Sequence, residues 1–184
     1  MKRRINLIFA IAFIGIFILI SGFTRVKKRK FDITFKLNEI TSFVPSNQIA
    51  IWLETTDSSF VKTLFLCDYL SYGGYNLPEI CYDWSSKTNW EETSKEEFDA
   101  VTSATPRVGD VELKLECPGS LIPAGKYNIF IEVHLTEEYN ELYSGELIIS
   151  GKKFQNSLQV TYRPGKYMEK SEGDILSDVQ VRCK

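Results

Sequence analysis

The residues most able to do chemistry on their own lie in one stretch, Asp99-Ala100-Val101-Thr102-Ser103-Ala104-Thr105-Pro106. Hydroxyls and small side chains are bracketed there by an acid and a proline. Pro106 drives Thr105 away from helix, so the stretch reads as an exposed turn or the beginning of a strand. In the simplest reading Asp99 and Thr102 bond neighbouring backbone groups and stabilise a loop. Elsewhere the chemistry is sparse. The chain has no GxSxG, HExxH, GxxxxGK[ST] or GxGxxG signature. The single histidine, His134, alternates with Glu132 on the polar side of a strand pattern and is expected at the surface. Glu137, Glu138 and Glu141 offer carboxylates to a hard cation, although a solvated hairpin end explains them as well. Tyr69, Tyr72, Tyr75, Tyr82, Trp84 and Trp90 could stack a planar ligand or cap the open end of a fold. No nucleophile–base pair can be assembled, so an independent enzyme is not expected.

Four cysteines stand at 67, 81, 117 and 183, none in a CxxC. With one histidine in the chain, zinc ligation lacks its usual paired spacing. In an oxidising compartment the expected bridges are Cys67–Cys81 and Cys117–Cys183; four buried free thiols are the alternative in a reducing one. Charge is divided along the chain. Eight of 22 Lys and Arg fall in the first 30 residues, where no acid occurs. From Phe31 onward fourteen basic residues face 24 acidic ones, a net charge of −10. Such a surface repels phosphate backbones, which excludes nucleic acid as a working partner.

The elements that must position these residues begin with an apolar run, Ile5 to Phe23, preceded by Lys2, Arg3 and Arg4. As a helix it would span roughly 28 Å, the thickness of a bilayer core. This is the pattern of an export signal or membrane anchor. Ile20 fits poorly before a cleavage site at Gly22 and no Cys follows, so an uncleaved signal-anchor is preferred to a cleaved or lipid-modified terminus. Arg25, Lys27, Lys28, Arg29 and Lys30 oppose export if basic residues alone are counted. The terminal position of the run and the cysteines favour it. Residues 1–30 therefore form the signal segment with its basic flank, and 31–184 a single domain.

That domain alternates with period two over Ile33–Leu37, Gln48–Glu54, Val111–Leu115 and Tyr127–Leu135, reads as a denser central strand over Phe60–Leu66, and adds candidate strands at Leu142–Ser150 and Ser157–Tyr162. Turn signals such as Pro45-Ser46-Asn47, Pro123-Ala124-Gly125 and Pro164-Gly165 separate these runs. Seven short strands, with only a short helical turn at Glu91–Phe98, indicate an all-β antiparallel sandwich. Lys166–Ser177, rich in charge and glycine, reads as a loosely held tail.

Two resemblances sharpen this reading. The run DAVTSAT resembles the acceptor pattern of bacterial flavin transferases, Asp-x-x-Ser/Thr-Gly-Ala-Ser/Thr, with Ser103 in place of the glycine. The resemblance implies that Thr105 receives FMN as a phosphoester. Asp99 would be the recognition acid and Thr102, Ser103 and Ala104 the recognition loop. Small neighbours would let the hydroxyl reach the transferase's metal-bound pyrophosphate. A serine at position 103 would be costly if a positive φ were needed there. In addition, IAIWLETTDSSFVKTL (Ile49–Leu64), DAVTSATPRVG (Asp99–Gly109) and LIPAGKYNIFIEV (Leu121–Val133) occur in that order. Together they resemble the bacterial periplasmic domain-of-unknown-function family 2271, over about Phe31 to Tyr162. The resemblance implies an exported immunoglobulin-like sandwich, in a family of which some members are encoded near flavin-linked redox proteins.

Two functional classes follow. One is a membrane-tethered extracytoplasmic redox carrier with FMN on Thr105, served by a flavin transferase and membrane redox proteins. The other is a non-catalytic binding or structural module of an envelope or membrane redox complex. Both put the acidic domain outside the cytoplasmic membrane. Protease added to intact spheroplasts is expected to digest the domain, and full protection would place it inside.

Overall fold

The computed structural model describes residues 27–41, 44–136, 139–163 and 175–184, with backbone alone for 159–163. The expected signal helix and the carboxylates of Glu137 and Glu138 lie outside these residues. Among the described residues no helix is long and apolar enough to cross a membrane.

Among the described residues ten strands build two packed sheets, so the domain is an all-β sandwich. One sheet has the order β5-β1-β10-β8, from β1 (Lys28–Leu37), β5 (Gly109–Pro118), β8 (Phe154–Ser157) and β10 (Leu176–Cys183). The other runs β4-β3-β2-β6-β7-β9, from β2 (Gln48–Thr55), β3 (Phe60–Cys67), β4 (Thr102–Ser103), β6 (Gly125–Thr136), β7 (Tyr139–Ile149) and β9 (Gln159–Arg163). All pairings are antiparallel except β3 with β4, where Leu66 faces Thr102 and Cys67 faces Ser103. Period-two alternation supplies the core between the sheets: Phe31, Ile33, Phe35 and Leu37 of β1 meet Ile49, Ile51 and Leu53 of β2 and Ile129, Ile131 and Val133 of β6.

Three expectations about the strands change. β1 begins at Lys28, inside the basic flank. The run expected as one strand over Ser157–Tyr162 breaks at Leu158. β8 stays in the first sheet and β9 joins the second, while the Leu158 N–H bonds Val179 O at 3.3 Å. Of the tail expected over Lys166–Ser177, residues 166–174 lie outside the described residues; from Ile175 the chain is held, because β10 lies between β1 and β8 with Val181 and Cys183 buried. Glu141 fixes its beginning. This carboxylate, expected in a solvated hairpin end, is fully buried and accepts from the hydroxyls of Tyr139 and Tyr143 and from Ile175 N–H.

The least expected feature is a second apolar layer. Residues 68–101 fold as short helical pieces, α1 (Asp68–Tyr72), α2 (Tyr82–Ser85) and α3 (Lys95–Val101), separated by 3₁₀ turns. They cover the outer face of the six-stranded sheet, burying Ala50, Trp52 and Leu66 beneath Leu70, Ile80, Trp84, Trp90 and Val101. Trp84 and Trp90 of the aromatic segment are thus core residues of this layer, while Tyr69, Tyr72 and Tyr82 stay exposed. Trp84 packs edge-on to Trp90 at 5.5 Å and donates its indole N–H to Thr63 Oγ1 at 3.0 Å. Removing a buried tryptophan costs about 3–5 kcal/mol. Trp84→Ala is expected to lower unfolding stability by that much in urea titration, whereas Tyr82→Ala, at a half-exposed position two residues away, should change it by under ~0.5 kcal/mol.

Candidate functional site

Residues 99–105 are delivered to the site by the second layer. Ser94 caps α3 by accepting the Glu97 N–H at 3.2 Å, and the helix ends at Val101, a buried anchor. Asp99 lies exposed in its last turn. Thr102 and Ser103 then pair with the end of β3, Ser103 and Ala104 face solvent, and Thr105 is half-buried. The motif is therefore a helix end and an edge strand rather than a free loop. Ser103 does not have positive φ, so serine in place of glycine carries no backbone strain.

Thr105 is tied to β2 through its side chain. Its Oγ1 accepts from Gln48 Nε2 at 3.3 Å. The same Gln48 amide nitrogen bonds Ser46 O at 3.0 Å, tying the chain before β2 to the site. Burial pushes the Cys67 thiol up to about 11, opposed by the Ile49 N–H and the Thr105 hydroxyl. Two buried polar atoms here, Gln48 Oε1 and Thr102 Oγ1, have no hydrogen-bond partner among the described residues. Trp84 and Trp90, the aromatics proposed to shield a bound ring, are sealed in the second layer. Tyr69 and Tyr72 of α1 are instead exposed; α1 packs on β4, and Tyr72 meets Phe98 edge-on at 5.0 Å, one residue before Asp99. Nothing in their spacing distinguishes these two tyrosines from their buried neighbours.

His134, opposite Gln48 on β6, is buried rather than at the surface, and so is Glu132. The reason is the second layer, which covers the sheet face that alternation assigns to solvent. Glu132 accepts the N–H groups of Asp83 and Trp84 at 3.1 and 2.9 Å, placing a carboxylate at the beginning of α2. Asn140 donates to Glu79 O at 2.9 Å, which leaves its Oδ1 to accept from Cys81 N–H at 3.0 Å and His134 Nδ1 at 3.2 Å. This pattern assigns the Nδ1–H tautomer. The Cys81 turn it supports is a strained left-handed one, with φ 47°.

The four cysteines, expected to form two bridges, are free and buried. The Cys67 sulfur accepts the Ile49 N–H at 3.3 Å while the Cys81 thiol donates to Gln48 O at 3.6 Å. These two backbone groups belong to one trans peptide and point in opposite directions, holding the sulfurs apart. Cys117 faces Arg29 and Cys183 faces Phe31, on the strands flanking β1. Two strand spacings are roughly 10 Å, beyond disulfide reach. Burial also raises Cys81 well above the ordinary thiol range, with the Glu132 carboxylate adding to it.

A groove of about 290 Å³ between β3, α3 and β5 touches the candidate segment only through Ala100 and Val101. Among the described residues no group of three or more His, Cys, Asp or Glu side chains is placed to hold a metal ion. Residues 30–169 match the family model DUF2271, described as a predicted periplasmic protein, and the chain belongs to that family. The description supports an extracytoplasmic, periplasmic location. No curated protein and no solved structure matches the chain.

The buried histidine makes stability depend on pH. Burial lowers the His134 pKa below its ordinary 6.5, with the Asn140 hydrogen bond opposing. The unfolded chain then binds a proton more readily than the folded one, so stability present above about pH 6.5 is lost as pH falls toward the depressed folded value. The urea midpoint of the wild type should drop between pH 7 and the acid side of that window. In His134→Gln the slope over the same window should flatten.

Proposed function

We propose that this DUF2271 domain is an extracytoplasmic flavin carrier, with FMN esterified to the Thr105 hydroxyl. The observation that carries the reading is the position of Asp99–Thr105, at a solvent-facing sheet edge, with Thr105 Oγ1 accepting from Gln48 Nε2. The surrounding residues fit such a group. The Gln48 N–H can donate to an ester oxygen as it does to the hydroxyl, Tyr69 and Tyr72 offer exposed aromatic faces, and Ser103 keeps ordinary backbone geometry. In the attachment step Thr105 Oγ forms a P–O bond to the flavin-side phosphorus of FAD. The pyrophosphate P–O bond breaks, AMP leaves, and the hydroxyl proton passes to the transferase. FMN so attached supplies one- and two-electron transfer; the partners would be the transferase and membrane redox proteins.

A second reading, a non-catalytic envelope binding module, is favoured by the half-burial of Thr105 and the hydrogen bonds that already occupy it. Coexpression with a flavin transferase separates the two. Intact mass should rise by one FMN ester in the wild type and in Thr102→Ala, and not in Thr105→Ala. Absence of the mass in both the wild type and Ser103→Gly would leave the binding module standing.

A further inference from the structure

The sandwich has two unlike poles. Its strands bring together at one end residues far apart in sequence: Lys27, Lys28 and Lys30 at the beginning of β1, Lys126 at the beginning of β6, Lys152 and Lys153 between β7 and β8, and Arg182 and Lys184 at the end of β10. All of them are exposed. Their adjacency is direct: Lys30 and Lys184 exchange backbone hydrogen bonds of 3.2 and 3.0 Å, and Lys27 Nζ lies 3.8 Å from where a Cβ on Gly151 would sit. The local acids are partly consumed, since Glu116 pairs with Lys28 and Lys30 at 2.8 Å each and Glu146 with Lys126 at 3.6 Å. Among the described residues no carboxylate lies in ion-pair distance of Lys27, Lys152, Lys153, Arg182 or Lys184. A cleft of about 390 Å³ opens among Lys153, Phe154, Arg182 and Lys184, with Asp32 at its edge.

The opposite pole carries Asp68, Glu79, Asp83 and Asp99 beside the Thr105 segment. β6, twelve residues long, runs between the poles, which sets them roughly 40 Å apart. That is several screening lengths at physiological salt, so the basic pole acts as a cation although the domain as a whole is acidic. The chain enters at this pole, and the residues before it are Arg25 and the apolar run Ile5–Phe23.

We infer that the basic pole is a docking surface for anionic phospholipid headgroups. The folded domain adds its own cations from β6, the β7–β8 connection and β10 to those of the N-terminal flank, and rests on the bilayer with the Thr105 pole pointing away. Attraction at one end and repulsion at the other fix the orientation. Electrostatics of this kind give roughly fivefold in binding per basic side chain near the surface. The inference does not depend on flavin attachment.

The test uses the full chain in nanodiscs, either purely zwitterionic or containing phosphatidylglycerol, read by amide hydrogen exchange. Exchange over residues 148–153 and 182–184 should slow about fivefold or more in the anionic discs, with residues 99–108 unchanged. The difference should vanish at ~1 M salt, where screening falls to about 3 Å. It should also vanish in the variant combining Lys152→Glu, Lys153→Glu and Arg182→Glu. Equal exchange in the two discs, a difference that persists in high salt, or slowing at 99–108 would each overturn the proposal. So would equal protection by inorganic phosphate in zwitterionic discs, which would indicate a site for a soluble anion.

Discussion

The outer face of the six-stranded sheet carries an apolar patch set among polar side chains, and the chain from Asp68 to Thr105 is arranged to cover it. Trp52 stacks on Phe130 at 5.1 Å on that face, and Ala50 and Leu66 flank them. Leaving such a surface in water would cost about 25 cal/mol for each Å² exposed. A single extended connection from β3 to β5 could not shield it. The helical pieces, with Leu70, Trp84 and Trp90 as plugs, do so in one excursion that returns to the edge of β3.

The excursion imposes the polar chemistry of the site. Buried polar groups must find partners or destabilise the fold. Glu132 therefore meets two N–H groups at the beginning of α2, His134 meets Asn140, and Glu54 accepts from the Trp52 indole and from Lys87 at 2.8 and 2.7 Å. The same return path sets β4 parallel to β3 and lodges Thr105 against Gln48 and Cys67. A hydroxyl on a free loop would sample many positions; this one is restrained by a sheet edge and a side-chain amide.

Inter-sheet positions were legible because alternation reports one buried face: Ile33, Ile129 and Ile131 are where period two puts them. Alternation fails where both faces are buried, as with His134 and Glu132, since a second layer leaves no period of its own in the strand it covers. Glu141 was misread for a different reason. A carboxylate satisfied by two tyrosine hydroxyls and a distant N–H is indistinguishable, in sequence, from one in water. β10 was missed because its tail of charge and glycine masks the alternating Val179, Val181 and Cys183. The candidate segment was visible as a composition, whereas Gln48, 57 positions away, was not, because a single amide contact carries no pattern.

The central claim is that this framework holds Thr105 as a point of covalent attachment. The most direct measurement is tandem mass spectrometry of the protein isolated from the envelope of its own cell, on the peptide spanning residues 99–107. The account predicts one FMN phosphoester, localised to the Thr105 side chain and absent from Thr102 and Ser103. An unmodified peptide, from cells whose transferase loads other acceptors, would contradict it.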